Sequence, residues 1–223
     1  MSILERFTSL FAPDDCLNCG REGALLCRAC LPALPSLKDR CFGCQTQIKG
    51  AGCPACMQSA GLTQLAATAD YAGPAKLLVA SLKFRGNQSA ARLMAVRMAY
   101  YLPSDALLVH MPATTAHVRE RGFDQSHLIA RHLSRLSGLP YNDLLRRHGH
   151  QHQLGASRQE RLRQLSAALS VPSPRQVAGK HVVLVDDVLT TGSSLTAAVA
   201  VLRQAGASRV DAVVFAQSLH MGK

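Results

Sequence analysis

The sequence predicts an α/β fold, a parallel sheet with helices on both faces, preceded by a small metal-binding domain. The first observation is a short apolar, β-branched run at Val182–Val185, typical of a strand buried on both faces. A small-residue turn, a helical pattern and a second β-rich run at Val210–Phe215 follow it. The second observation is that all eight cysteines fall within residues 16–56. We therefore predict an amino-terminal domain over residues 1–60 and an α/β domain over residues 61–223.

The cysteines form four Cys-x-x-Cys pairs, and two such pairs can supply the four thiolates of one tetrahedral zinc site. Disulfides suit secreted chains, and a redox dithiol would explain one pair but not four in succession. We therefore predict two structural zinc ions, which supply much of the stability of so short a segment. The predicted sites are Cys16, Cys19, Cys27 and Cys30, and Cys41, Cys44, Cys53 and Cys56. A crossed arrangement also remains possible, in which the first and fourth pairs share one zinc ion and the second and third pairs share the other.

The chain between the cysteines and the turn alternates between strand and helix patterns. Residues 57–65 are predicted as a linker, and Asp124 as the cap of a helix that runs to Ser137 and closes at Gly138. Residues 146–163 are polar and basic, and we predict a mobile loop there, with a helix from Ser157 onward. The other predicted elements are strands at Ala67–Tyr71 and Ala106–Met111 and helices at Pro74–Phe84 and Ser89–Tyr101.

Two acids and a small-residue turn follow the strand at Val182–Val185, at the edge where open α/β sheets bind ligands. Gly192 allows close approach of an anion, and the amides that begin the next helix point outward with the positive end of its dipole. Hydroxyl donors are added by Thr190, Thr191, Ser193 and Ser194. Asp186 and Asp187 would repel a phosphate unless they bind hydroxyls or a metal on the same ligand. A phosphorylated sugar with a cis-diol satisfies both conditions.

The run from His181 to Leu195 resembles the phosphoribosyl diphosphate (PRPP) signature of the type I phosphoribosyltransferases. The resemblance implies a Rossmann-like fold and PRPP bound with Mg²⁺. It gives Asp186 and Asp187 the catalytic role of holding the ribose 2- and 3-hydroxyls, and the turn from Thr190 to Ser194 the 5-phosphate. In that family a loop after an early strand contacts the pyrophosphate, and Ala113–His117 occupies its place in the chain order. Further pyrophosphate contacts are expected from Lys83, Arg119, Arg121, Arg158 and Arg161.

A second resemblance covers nearly the whole chain. Arg-x-Arg-Gly-Phe-Asp-Gln at residues 119–125, after a strand that ends in a proline, is similar to the ComF/GntX family, as are Lys83-Phe84 and the cysteine pairs ahead of the body. The resemblance implies a PRPP-binding, phosphoribosyltransferase-like protein linked to DNA uptake in competent bacteria. The sequence names no acceptor base. The expected partners are PRPP, single-stranded DNA and DNA-uptake proteins. The alternative function is a non-catalytic protein that handles single-stranded DNA and binds PRPP only as an effector.

Charge and composition limit the other classes of function that the chain could have. The net charge is +11, and residues 117–180 hold eleven basic residues against four acids, which favours polyanionic partners. Aromatic residues make up 4% and Trp is absent, which argues against an extended base-stacking platform. No apolar run approaches the ~20 residues of a membrane span, and the amino terminus lacks the apolar core of a signal peptide. We expect a cytoplasmic protein without membrane insertion.

Overall fold

The structure, a computed structural model, describes residues 14–148 and 158–218, without the side chains of residues 158, 159, 161 and 162. Within these ranges the helices are α1 (Pro54–Ser59), α2 (Gly73–Arg85), α3 (Gln88–Ala99), α4 (Thr115–Arg121), α5 (Gln125–Ser137), α6 (Arg158–Ala167) and α7 (Ser193–Gln204). The strands are β1 (Leu65–Asp70), β2 (Leu107–His110), β3 (Arg146–Arg147), β4 (Leu169–Ser170), β5 (His181–Leu189) and β6 (Arg209–Gln217). Short 3-10 turns lie at Leu31–Ala33 and Pro174–Gln176.

Four strands form a parallel sheet in the order β1-β6-β5-β2, which confirms the predicted α/β fold. Alternate residues of β5 face opposite cores, as expected for a strand covered on both sides. Val183 and Val185 pack in a first core with residues of α2, α3 and α5. Val182 and Leu184 pack in a second core with Leu195 and other residues of α7. The helices therefore lie on both faces of the sheet.

Strand β5 is longer than the predicted Val182–Val185. Its pairing with β2 stops where His110 meets Val185, but its pairing with β6 continues as far as Leu189 opposite Gln217. Asp186 and Asp187 therefore lie within the strand and not after it. They lie on the stretch of β5 that extends beyond β2, and this leaves one side of the acid pair open to other elements.

The prediction for α5 is confirmed. Asp124 Oδ1 accepts hydrogen bonds from the amides of Ser126 (2.9 Å) and His127 (3.2 Å), and Gly138 closes the helix with a φ of 75°.

Three local predictions were wrong in part. The predicted pyrophosphate loop becomes helical from Thr115, because the Thr114 side chain caps α4 by accepting a bond from the amide of His117. The predicted linker is shortened, since α1 runs to Ser59 and β1 begins at Leu65. In the predicted loop over residues 146–163, Arg146–Arg147 pair antiparallel with Leu169–Ser170, whereas the helix predicted from Ser157 onward is confirmed and is described from Arg158. Residues 149–157 of that loop lie outside the described residues.

The cysteine segment shares its apolar contacts with the α/β body. Leu25, Leu26 and Leu34 belong to the first core, and Phe42 and Ala51 belong to the second. The predicted boundary between residues 60 and 61 remains a prediction. Across the described ranges 14–148 and 158–218, we find no helix with the length and apolar character needed to cross a membrane.

Candidate functional site

Helices α2 and α5 each contact the acid pair of β5. Ser126 of α5 donates its hydroxyl to Asp186 Oδ1 at 2.8 Å, and the amide of Asp187 donates to the same oxygen at 2.8 Å. Lys83 of α2 places Nζ 2.6 Å from Asp187 Oδ2, and the Asp187 side chain is only 5% exposed. The two carboxylates thus differ. Asp187 has a cationic partner, whereas the neighbours bonded to Asp186 are a hydroxyl and an amide.

Burial is the main influence on the protonation of Asp186. Burial raises the pKa of Asp186 to about 7, and the charge of Asp187 acts in the same direction. The Ser126 hydroxyl, the Asp187 amide and Lys83 oppose this rise. At neutral pH Asp186 can therefore accept or donate a hydrogen bond, and a ligand hydroxyl donor or a cation would favour its charged form.

The raised pKa predicts a pH-dependent cost in stability. The folded state holds the Asp186 proton up to a higher pH than the unfolded state does, so stability falls as pH rises from the ordinary carboxyl pKa toward about 7. Asp186→Asn removes this cost, and the amide oxygen can still accept from Ser126. We expect the variant to exceed the wild type in free energy of unfolding at pH 8 by on the order of 4 kcal/mol, and by less than about 1 kcal/mol at pH 4. Urea unfolding at the two pH values measures this, and an equal difference at both would contradict it.

Residues Thr190–Ser194, which we call the phosphate loop, join β5 to α7. Thr190 and Thr191 are exposed, and Gly192 takes a φ of 74°, a left-handed conformation that favours glycine. Gly192 caps α7 without a side chain, and the amide of Ser193 makes a long bond of 3.4 Å to Thr191 Oγ1. The first turn of α7 therefore offers backbone amides and hydroxyls at the positive end of a helix, as anion sites do.

The predicted basic residues do not all meet at this site. Lys83 contacts the acid pair. Arg121 lies over the ring of Phe84, 5.6 Å from its centroid, and donates through Nη1 to Gln125 Oε1 at 3.1 Å. Arg119 is exposed on α4. Arg158 and Arg161 lie in α6, and their side chains are outside the described residues.

Sequence reasoning missed two residues close to the acids. Ser126, which donates a hydrogen bond to Asp186, comes directly after the Arg-x-Arg-Gly-Phe-Asp-Gln run. Its position on one face of the predicted helix was the only feature of the sequence that could have indicated this contact. Arg147 is half-buried on β3; burial lowers the pKa of Arg147, and the charge of Asp186 opposes that change. The guanidinium of Arg147 therefore interacts electrostatically with the acid pair, although this stretch was predicted to be a loop.

The cysteines form two compact groups. The ligand atoms within each group all lie within 4.8 Å of one another, and the groups are Cys16, Cys19, Cys27 and Cys30, and Cys41, Cys44, Cys53 and Cys56. This confirms the predicted pairing, and the crossed arrangement is wrong. Each group could hold one metal ion, and four cysteines are a donor set of structural zinc with no position left for substrate.

The pKa values of the cysteine thiols are those expected of a site that binds a cation. The amide of Cys27 lies 3.4 Å from Cys16 Sγ and lowers the pKa of Cys16 to about 6. In the second group, burial raises the pKa of Cys56 to about 12, and the other three cysteines act in the same direction. The fourth thiol of this group thus resists ionisation among its neighbours, and a bound cation would offset that repulsion.

The chain is similar to phosphoribosyltransferase and competence proteins. A family model described as the phosphoribosyl transferase domain matches residues 122–222, which include α5, the acid pair and the phosphate loop. DNA utilization protein YhgH of Salmonella typhi is 30% identical over 222 residues, covering 91% of this chain and 96% of that protein. Competence protein F of Haemophilus influenzae is 29% identical over 200 residues (77% and 87%). Competence protein ComFC of Bacillus subtilis is 27% identical over 194 residues (74% and 78%).

Proposed function

The chain belongs to the ComF/GntX family and carries its phosphoribosyltransferase domain, and from this premise we propose that it binds PRPP with Mg²⁺ at the acid pair and the phosphate loop. The observation that carries the proposal is the order of groups along one strand end. Asp186 and Asp187 lie on β5, and three residues after the end of this strand at Leu189 a left-handed glycine, Gly192, begins the amino-terminal end of α7. One ligand that presents both hydroxyls and a phosphate matches this order.

Each group has a chemical role in the proposal. Amides and hydroxyls of the phosphate loop bind the 5-phosphate, and the two carboxylates accept hydrogen bonds from the ribose 2- and 3-hydroxyls. Mg²⁺, when bound, would neutralise charge on the pyrophosphate. Pyrophosphate contacts are proposed for Lys83, Arg119, Arg121, Arg158 and Arg161. If turnover occurs, positive charge develops on the sugar ring as the bond to pyrophosphate breaks, and the nearby carboxylates stabilise it.

The competing function is a non-catalytic one, in which the protein handles single-stranded DNA and PRPP is only an effector. The names of the relatives refer to competence and DNA utilization. The net charge of +11, of which residues 117–180 contribute most, gives electrostatic attraction to a polyanion. We propose a link to DNA uptake under either function, with DNA-uptake proteins as partners.

Calorimetric titration with PRPP, with and without Mg²⁺, tests the proposed function. We expect saturable binding that weakens by roughly tenfold or more without Mg²⁺, because the cation offsets the repulsion between phosphate groups and the acid pair. A wild-type protein that binds no PRPP under either condition would contradict the proposal.

A screen for pyrophosphate release across free bases and single-stranded DNA separates the two functions. Release with one acceptor would favour an enzyme. Oligonucleotide affinity that falls with salt, without pyrophosphate release in any mixture, would favour the binding protein.

A further inference from the structure

Phe42 lies between the second cysteine group and the phosphate loop. Its ring is packed against Gly192, so closely that a Cβ on Gly192 would lie 2.6 Å from ring atom Cε2 and still closer to Cδ2. Phe42 is only 5% exposed. The ring therefore occupies the space that a side chain at residue 192 would need, and the backbone of the phosphate loop rests on it. Glycine is required at this position both by its φ of 74° and by this contact.

The second cysteine group fixes the position of this ring. Phe42 directly follows Cys41, and its amide donates to the carbonyl of Ala51 at 2.8 Å. Cys41 Sγ accepts from the amides of Gly43 (3.4 Å) and Cys53 (3.3 Å). A metal ion held by the four sulfurs would therefore hold the backbone on both sides of Phe42, and its loss would release that backbone.

The same segment is tied to the neighbouring strand ends. Gln217, at the end of β6, donates through Nε2 to the carbonyl of Arg40 at 3.0 Å. Asp70, at the end of β1, accepts from the amide of Lys38 at 2.7 Å. Residues 38–42 thus run along the carboxyl ends of β1 and β6 and reach the loop after β5. The cysteine segment forms one wall of the edge that carries the candidate site.

The first cysteine group repeats this local structure without the contact to the loop. Leu17 follows Cys16 as Phe42 follows Cys41, and its amide donates to the carbonyl of Leu25 at 3.0 Å, as that of Phe42 does to Ala51. Leu17 packs against the first core and lines a cleft with Leu77 and Phe84 of α2. The two groups therefore share this local hydrogen bond but have different neighbours.

We propose that the second cysteine group positions the phosphate loop through Phe42, so that phosphate affinity depends on the occupancy of this group and not of the first. Phe42 is a positioning residue here, since its ring acts on the loop backbone and not on the ligand. The predicted effect on phosphate affinity rests on the proposed function, but the order of the phosphate loop can be measured without any ligand.

Full-length Phe42→Ala and its matched control Leu17→Ala test this positioning. We expect both to keep wild-type zinc content by elemental analysis. Phe42→Ala should speed hydrogen exchange in a peptide spanning residues 190–196 and raise the dissociation constant for PRPP, each by about tenfold. Leu17→Ala should change neither, and Phe42→Leu, which refills most of the space, should restore both. Wild-type exchange of the loop in Phe42→Ala would overturn the inference.

Removal of one exposed ligand from each group tests the dependence on metal. Cys44→Ser and Cys19→Ser should each lower the zinc content by about one ion per chain, and only Cys44→Ser should speed exchange in the loop. Equal effects of the two variants on the loop would contradict the inference.

Normal PRPP binding by Phe42→Ala would contradict the inference but not the proposed function. Failure of the wild type to bind PRPP would defeat the proposed function, while the exchange data would still decide the positioning.

Discussion

The double variant Asp186→Ala plus Asp187→Ala is expected to lose PRPP binding by at least about a hundredfold. A hydrogen bond from a ligand hydroxyl to a charged group contributes about 1.5–3 kcal/mol, so two of them correspond to roughly 10²–10⁴-fold in affinity. The variant also leaves Lys83 without the carboxylate that lies 2.6 Å from its Nζ. The site becomes more positive, so its affinity for free pyrophosphate should stay constant or rise. Calorimetry with both ligands therefore separates recognition of the sugar from attraction to anions.

Asp211→Ala is the matched control for this experiment. Asp211 is a buried carboxylate of the same sheet, near the amino-terminal end of β6, where it pairs with His181 and Arg209. Its loss should lower the free energy of unfolding by about 1–3 kcal/mol, because His181 and the partly exposed Arg209 lose a buried hydrogen-bond acceptor. PRPP affinity should stay at the wild-type value. If the double variant at residues 186 and 187 still binds PRPP as the wild type does, the acid pair is not the ribose site.

The parts of the site that are contiguous in sequence were predictable. An apolar run, two acids, a glycine turn and a helical pattern follow one another between His181 and Leu195, and local rules relate each to its conformation. The cysteine spacing likewise predicted which thiols share a group, because short gaps favour neighbouring pairs over distant ones.

The contacts around the site were not predictable from one sequence, because distant parts of the chain make them. Ser126 is sixty residues from Asp186 along the chain, and its contact depends on how α5 packs on the sheet. The true length of β5 depends on its pairing with β6, which continues after β2 has ended. Phe42 meets Gly192 across an even longer separation, and nothing in the run Cys41-Phe42-Gly43-Cys44 indicates what the ring touches.

Removal of the bound metal should destabilise the whole chain and not the cysteine segment alone. Leu25 and Leu26 pack in the first core with α2 and α3, and Phe42 packs in the second core with α7. Metal binding to a cysteine site contributes to folding directly, because the unfolded chain has no preformed site. Loss of the ions therefore opens a side of each core to water. We expect the melting temperature to fall by roughly 10 °C or more, in one cooperative transition.

Differential scanning calorimetry before and after treatment with a zinc chelator measures this change, and addition of Zn²⁺ should restore the original transition. Two separate transitions, with the upper one unchanged, would show that the α/β part folds independently of the cysteine segment. That result would contradict the shared cores, since Cys16, Leu25 and Phe215 belong to one apolar cluster. A single transition at a lower temperature would mean that metal occupancy affects the sheet that carries the acid pair. A zinc site that stabilised only its own segment would not produce that result.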